Sequence, residues 1–383
     1  MAAERTPVVA ISHDYLTQRG GAERVVLAIL RAFPDAELHT LLYDPEGTYP
    51  EFRQYRIVTS SLNDVGALRH HHRFAFPLLA PAAARHRIEA DVVICSTSGW
   101  AHGFPTDGAT LVYCHSPARW LYQPRNYLGG PRWASPTGWV LAALSPALTR
   151  WDRRAARRAA RYLSNSRVVR DRIGEAYGIE ATVLPAPHGV EPNGPSRPVP
   201  SLEDWAQEGY HLIVSRLLPY KNVGPALAAF TGSSERLVIV GAGPLRERIE
   251  GDCGPNARLV SDLDDAQMRW VYAHARALVA PSLEDYGLTP LEAAAFGKPT
   301  IALRAGGYLD TIVEGTTGIF FEESTPSAIA AAVAAGAKTP WDEDAIRAHA
   351  DGFSEAVFAE RLHSSVREIL SGTGPSEAAT RHT

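Results

Sequence analysis

The chain has 383 residues, of which 45% are hydrophobic and 21% charged, with a formal net charge of −4; this suits two domains of about 150–200 residues each and gives no electrostatic footprint for a nucleic-acid partner. The three cysteines, Cys95, Cys114 and Cys253, lie far apart without CxxC spacing, which argues against a disulfide framework or zinc site and fits a reducing cytoplasm. The N-terminal stretch lacks a signal-peptide apolar run, and no segment reaches the roughly 18 apolar residues of a membrane-spanning helix.

In chain order, short β-rich runs alternate with helical patterns. Residues 7–12, 37–43, 56–60, 91–96, 110–114, 161–165 and 181–184 read as strands of a first half, with a helix over 22–33 after the first. Several are near-continuous Val/Ile/Leu runs, the mark of parallel strands covered on both faces. The stretch 185–200 is dense in proline and glycine and breaks both periodicities, so the domain linker is placed there. Residues 211–215, 236–240, 257–260, 277–281, 300–303 and 318–321 repeat the rhythm. Phe353, Val357, Phe358, Leu362, Val366 and Ile369 then fall at helical spacing, predicting a terminal amphipathic helix. The reading is α/β, with two Rossmann-like domains, residues 1–187 and 188–352, and a cleft between them. Chemistry is expected at the carboxyl ends of the strands, where loops lead into helix N-termini.

The motifs sit at such loops. After the first strand comes Ser12-His-Asp-Tyr-Leu-Thr-Gln-Arg-Gly-Gly-Ala-Glu-Arg24, in which Gly20 and Gly21 let the backbone approach a ligand closely. It is neither G-x-G-x-x-G nor a Walker A loop. Tyr113-Cys-His-Ser-Pro-Ala-Arg119 ends another strand and offers His115 and Arg119. In the second half, Leu212-Ile-Val-Ser-Arg-Leu-Leu-Pro-Tyr-Lys-Asn222 delivers Arg216 and Lys221, a fork and a compact charge suited to a diphosphate. In Ala280-Pro-Ser-Leu-Glu-Asp-Tyr-Gly-Leu-Thr-Pro-Leu-Glu292, a loop from Glu284 to Leu288 precedes a helix. Thr289 is expected as its N-cap, with Pro290 at N1 and Glu292 at N3 closing a capping box. The N–H groups of Gly287, Leu288 and Thr289 then face a phosphate.

The Glu284–Glu292 string, with D-x-G-L between the acids and G-x-P after the helix, resembles the E-x7-E motif of family 4 retaining glycosyltransferases. Arg216 and Lys221 resemble that family's R-x4-K element, and Gly20-Gly-Ala-Glu-Arg24 its glycine loop. Tyr113-Cys-His-Ser-Pro is similar to bacterial mannosyltransferase-like members. Gly306-Gly307 with Asp310 resembles a G-G-x-x-E stretch, with Asp in place of the usual Glu. The resemblance runs from about residue 8 to 370 and implies the GT-B fold, with the terminal helix, 353–371, packing back on the first domain. It implies Arg216, Lys221, Glu284 and His115 as catalytic residues. Gly20, Gly21, Gly287, Leu288, Thr289, Glu292 and the base-side Leu263 are implied as donor-binding, and Arg119 and Arg24 as acceptor-side.

The activity so implied is retaining transfer of a hexose from a nucleotide diphosphate sugar to a glycan, lipid-linked or small-molecule acceptor, without a metal or other cofactor. GDP-mannose leads as donor; UDP-glucose and UDP-GlcNAc stay open, as do a nucleotide-sugar-binding protein and an NAD-dependent oxidoreductase. A cytoplasmic location is expected. Arg150, Arg153, Arg154, Arg157, Arg158 and Arg161, and the run His70–His72 with Phe74, leave room for peripheral contact with a membrane face.

Overall fold

The structure, a computed structural model, describes residues 6–70, 75–124 and 136–372. The chain divides into two compact units, Met1–Ala186 together with Ala356–Thr383, and Pro187–Glu355.

The first unit is built on seven strands: β1 (Val9–His13), β2 (Glu37–Thr40), β3 (Ile57–Thr59), β4 (Val92–Thr97), β5 (Ala109–Cys114), β6 (Arg161–Ser164) and β7 (Thr182–Val183). They pair in parallel in the order β3-β2-β1-β4-β5-β6-β7. Strand β4, Val-Val-Ile-Cys-Ser-Thr, is buried at every position, as expected of a central strand covered on both faces. The strand expected over 37–43 ends at Thr40, and the Leu41 carbonyl just beyond it accepts a hydrogen bond from the Ser60 hydroxyl at 2.7 Å. The helix Gly21–Ala32 buries Val25, Val26, Ile29 and Leu30. The terminal helix Glu355–Leu370 buries Phe358, Leu362 and Val366. Phe358 meets the Tyr113 ring edge-on, and Glu368 accepts a 2.6 Å bond from Arg161.

The helix Pro136–Ala156 carries Arg150, Arg153 and Arg154 but ends before Arg157 and Arg158, and Arg161 lies in β6, so the six arginines do not share one helix. His71, His72 and Phe74 lie outside the described residues.

The second unit holds β8 (Tyr210–Val214), β9 (Leu237–Val240), β10 (Ala257–Val260), β11 (Ala275–Ala280), β12 (Thr300–Leu303) and β13 (Gly318–Phe321). Its parallel order is β10-β9-β8-β11-β12-β13. Leu212, Val238, Leu278 and Ala302 pack one face of this sheet, and Ile213, Ile239, Val279 and Ile301 the other. This is the period-two alternation of strands buried on both sides.

Both sheets reverse their winding at one place, between β1 and β4 in the first unit and between β8 and β11 in the second. In open α/β sheets such a reversal is where loops from opposite faces diverge at the strands' carboxyl ends. The residues just past β1, β4, β8 and β11 are therefore the first places to look for a site.

Candidate functional site

In the second unit, β8 leads into Ser215–Leu217 and β11 into Pro281–Gly287, so Lys221 and Glu284 meet although 63 residues separate them. Lys221 Nζ donates to Glu284 Oε1, and Ser282 Oγ donates to the same oxygen at 2.6 Å. Both side chains of the ion pair are largely covered, 13% and 22% exposed, so the pair is screened less than a surface one. Asn222, held at φ 53°, donates to the Pro281 carbonyl at 3.1 Å and ties the two loops a second time. Arg216 lies nearby in sequence but is exposed, its guanidinium donating to the Tyr220 hydroxyl at 3.3 Å. Tyr220 touches both cations, its hydroxyl accepting from Arg216 and its ring centroid lying 5.2 Å from Lys221 Nζ.

Glycines shape both loops. Gly287 sits at φ 87°, and a Cβ there would meet the ring of buried Tyr308 at 2.5 Å. Gly306 and Gly307 press their backbone against the Glu284–Tyr286 segment; a Cβ on Gly306 would fall 2.1 Å from the Glu284 carbonyl. The Gly307 N–H donates to that same carbonyl at 2.9 Å. The loop carrying Glu284 is thus braced from behind by the Gly306-Gly307 turn. Gly241 and Gly243 do the same for the Arg216 loop, lying against the carbonyls of Ser215 and Leu217. Their short G-x-G pattern is explained by this close backbone packing.

The helix after Glu284 runs Leu288–Ala295, with left-handed Gly287 as its N-cap and no side-chain cap. This corrects the expected capping box. Thr289 falls at the second helical position, Pro290 at the third and Glu292 at the fifth, out of reach of the cap. The buried Glu292 carboxylate instead accepts a 2.6 Å hydrogen bond from the Tyr272 hydroxyl. The N–H groups of Gly287, Leu288 and Thr289 remain without intrahelical acceptors, and Pro290 has none to satisfy. Leu263 follows β10 beside Asp262 at φ 58° and packs its side chain on the core of this unit. Asp310 lies in the short helix Tyr308–Thr311.

In the first unit, Gly20 caps the helix Gly21–Ala32, and a Cβ on Gly20 would lie 2.6 Å from Glu23 Oε2. Glu23 is buried and takes a 3.0 Å bond from Gln18 Nε2 on its other oxygen. Burial raises its carboxyl above the ordinary range, against the pull of His13. Arg24 is engaged by Tyr49, donating to its hydroxyl at 3.0 Å. Arg119 is exposed at the start of Arg119–Tyr122.

His115 stands just beyond β5, with its Nε2 2.8 Å from Ser96 Oγ, which lies 3.1 Å from His13 Nδ1. Burial, with His13 and Arg119 beside it, lowers the His115 pKa to about 3, so the imidazole is neutral. Sequence reading gave no role to His13, Ser96 or Asp14, which are contiguous only across the β1–β4 register, where His13 faces Ser96. Asp14 accepts from the Thr97 hydroxyl at 2.8 Å and from the N–H groups of Ser98, Trp100 and Ala101 at 2.6, 3.0 and 2.7 Å. Tyr308, Tyr272 and Ser282 were also missed; an aromatic with a hydroxyl leaves no signature at such distances along the chain. Among the described residues, no group of three or more His, Cys, Asp or Glu is placed to hold a metal ion, and no helix is long and apolar enough to cross a membrane.

Two family models match consecutive parts of the chain: Glycosyltransferase Family 4 over residues 19–193 and Glycosyl transferases group 1 over residues 204–350. The chain is 32% identical over 135 residues to a glycogen synthase of Thermus thermophilus, covering 34% of this chain and 31% of that one. It is 29% identical over 193 residues to a GDP-mannose-dependent alpha-(1-6)-phosphatidylinositol monomannoside mannosyltransferase of Mycolicibacterium smegmatis, covering 44% and 50%. The match thus spans about a third to a half of these relatives' lengths. Among solved structures, a sucrose-phosphate synthase from Thermosynechococcus elongatus superposes with a TM-score of 0.71 at 17% identity, over 96% of this chain and 100% of that one. Anabaena HepE in complex with UDP and glucose gives a TM-score of 0.69 at 15% identity, over 94% and 100%.

Proposed function

We propose, since this chain belongs to the family 4 glycosyltransferases and has their GT-B fold, that it transfers a hexose from a nucleoside diphosphate to an acceptor hydroxyl with retention of configuration. The observation that carries the reading is the Lys221–Glu284 pair at the winding reversal of the second sheet. Lys221 and Arg216 hold the pyrophosphate, and the amides of Gly287, Leu288 and Thr289 add donors from the helix start. As the bond from sugar to phosphate lengthens, negative charge grows on the departing diphosphate, and these fixed groups stabilise it. Glu284 orients Lys221 with one oxygen and offers the other to a sugar hydroxyl. Glu292, anchored by Tyr272, accepts from the ribose, and the backbone near Leu263 meets the base. The departing phosphate takes the acceptor proton, without a metal.

In the first unit, His115 and the Gly20–Gly21 loop serve the transferred sugar, and Arg119 and Arg24 the acceptor. GDP-mannose is the proposed donor, supported by the printed donor of the mycobacterial relative and by the Tyr113-Cys-His-Ser-Pro string. A UDP-sugar is the second reading, favoured by the fold shared with HepE, whose complex holds UDP and glucose. The proposed acceptor is a glycan or lipid-linked sugar, reached from the cytoplasm with peripheral contact at a membrane.

Thermal shift with GDP-mannose, UDP-glucose and UDP-GlcNAc, followed by an assay of released nucleoside diphosphate, tests this. A donor at about 100 times its Kd stabilises the native chain by about 2.7 kcal/mol. A chain that no nucleotide sugar stabilises, and that releases no diphosphate with any of them, would end the proposal.

A further inference from the structure

We infer that His13 and Ser96 are positioning residues that lock His115 in its Nδ1–H tautomer, so that His115 meets a ligand as a hydrogen-bond donor and not as a base. The inference rests on the transferase reading only for the identity of the ligand; the tautomer follows from the hydrogen bonds themselves.

His13 Nδ1 lies 3.1 Å from both the backbone carbonyl and the hydroxyl of Ser96. A carbonyl oxygen only accepts, so Nδ1 of His13 must carry the proton; a bare nitrogen there would set two lone pairs against each other. Ser96 Oγ, fully buried, has two partners among the described residues, His13 Nδ1 and His115 Nε2. With His13 donating to it, the hydroxyl has its own proton left to place, and His115 Nε2 at 2.8 Å is the acceptor for it. Nε2 of His115 is therefore the bare nitrogen, and a neutral imidazole then holds its hydrogen on Nδ1. Burial, with the Arg119 guanidinium beside it, agrees with a neutral ring, since both disfavour a second proton on it. The carboxylate of Asp14 is satisfied by Thr97, Ser98, Trp100 and Ala101. Glu23 faces His13 and Gln18.

Three residues at the carboxyl ends of adjacent strands β1, β4 and β5 thus act as one relay whose direction is set by a backbone carbonyl. Its output is an N–H on His115 aimed at an oxygen of the ligand, a sugar hydroxyl or a phosphate. Proton abstraction by this ring is excluded, because its basic nitrogen is occupied by Ser96.

Histidine-selective 15N labelling and long-range imidazole NMR on the full chain test the relay, with His115→Gln assigning the resonance. The expected result is a protonated Nδ1 and a bare Nε2 on His115 from pH 7 to pH 5, with loss of the single tautomer in Ser96→Ala. A protonated Nε2 in the native chain, or a Ser96→Ala spectrum identical to it, would overturn the inference. The native spectrum decides alone if Ser96→Ala does not fold. Added GDP-mannose or UDP-glucose is expected to shift the Nδ1–H signal. A correct tautomer whose signal ignores every nucleotide sugar would overturn the assignment of His115 to the sugar while leaving the relay in place.

Discussion

Asp14→Asn removes one charge and no volume, and the structure sets its cost. Asp14 Oδ1 receives the Thr97 hydroxyl and the N–H groups of Trp100 and Ala101, while Oδ2 receives the Ser98 N–H at 2.6 Å. The amide keeps its oxygen toward the three donors, because the other orientation opposes three donors with two more. Its NH2 then faces the Ser98 N–H. The Ser98 bond, about 1.5–3 kcal/mol, is lost and its half-buried N–H stranded, while the three bonds kept weaken from charged to neutral, offset in part by the lower cost of burying an uncharged amide. A total of about 3 kcal/mol lowers the melting point of a unit this size by about 6–12 °C. Scanning calorimetry reads it as a fall in the transition of the first unit while that of the second stays put. An unshifted first transition would refute the claim that this carboxylate holds the 97–101 loop, and with it the support under Ser96.

Gly287→Ala forces a side chain to φ 87° and against the Tyr308 ring. It is expected to destabilise the second unit by about 2–4 kcal/mol and to weaken nucleotide binding, read by urea unfolding and calorimetric titration; a native-like variant would contradict the strain. Buried His211 has its pKa lowered from 6.5 to about 4, by burial first, with Glu235 opposing. The unfolded chain binds this proton below pH 6.5 and the folded chain does not, so stability falls as pH drops from 6.5 toward 4. The slope is about 1.4 kcal/mol per pH unit for this group. His39, also lowered by burial, acts in the same direction in the first unit. Urea midpoints at pH 7 and pH 5 check both, and equal midpoints would contradict them.

The strands were legible because buried parallel strands write themselves as apolar runs. Val92–Ile94 and Leu237–Val240 needed no tertiary information. The residues of the site were legible as types, but their partnership was not. Nothing along the chain says that Lys221 pairs with Glu284; that follows only from β8 lying beside β11. The misplaced cap has the same origin. Thr289-Pro-Leu-Glu292 fits a capping box locally, whereas the packing of Tyr308 on Gly287, which sets the helix start, joins segments 21 residues apart in the sequence. Asp14, Ser96 and His13 were invisible for want of the β1–β4 register. Sequence motifs named the charges, and topology decided what each one touches.

The most direct test of the account is the affinity of the full chain for GDP and UDP, measured calorimetrically with the native protein and with Lys221→Ala. Removing the ammonium forfeits a charged hydrogen bond of about 1.5–3 kcal/mol, so the account predicts diphosphate binding about 10–100-fold weaker in the variant. Equal affinities, or a native chain that binds neither nucleotide, would contradict it.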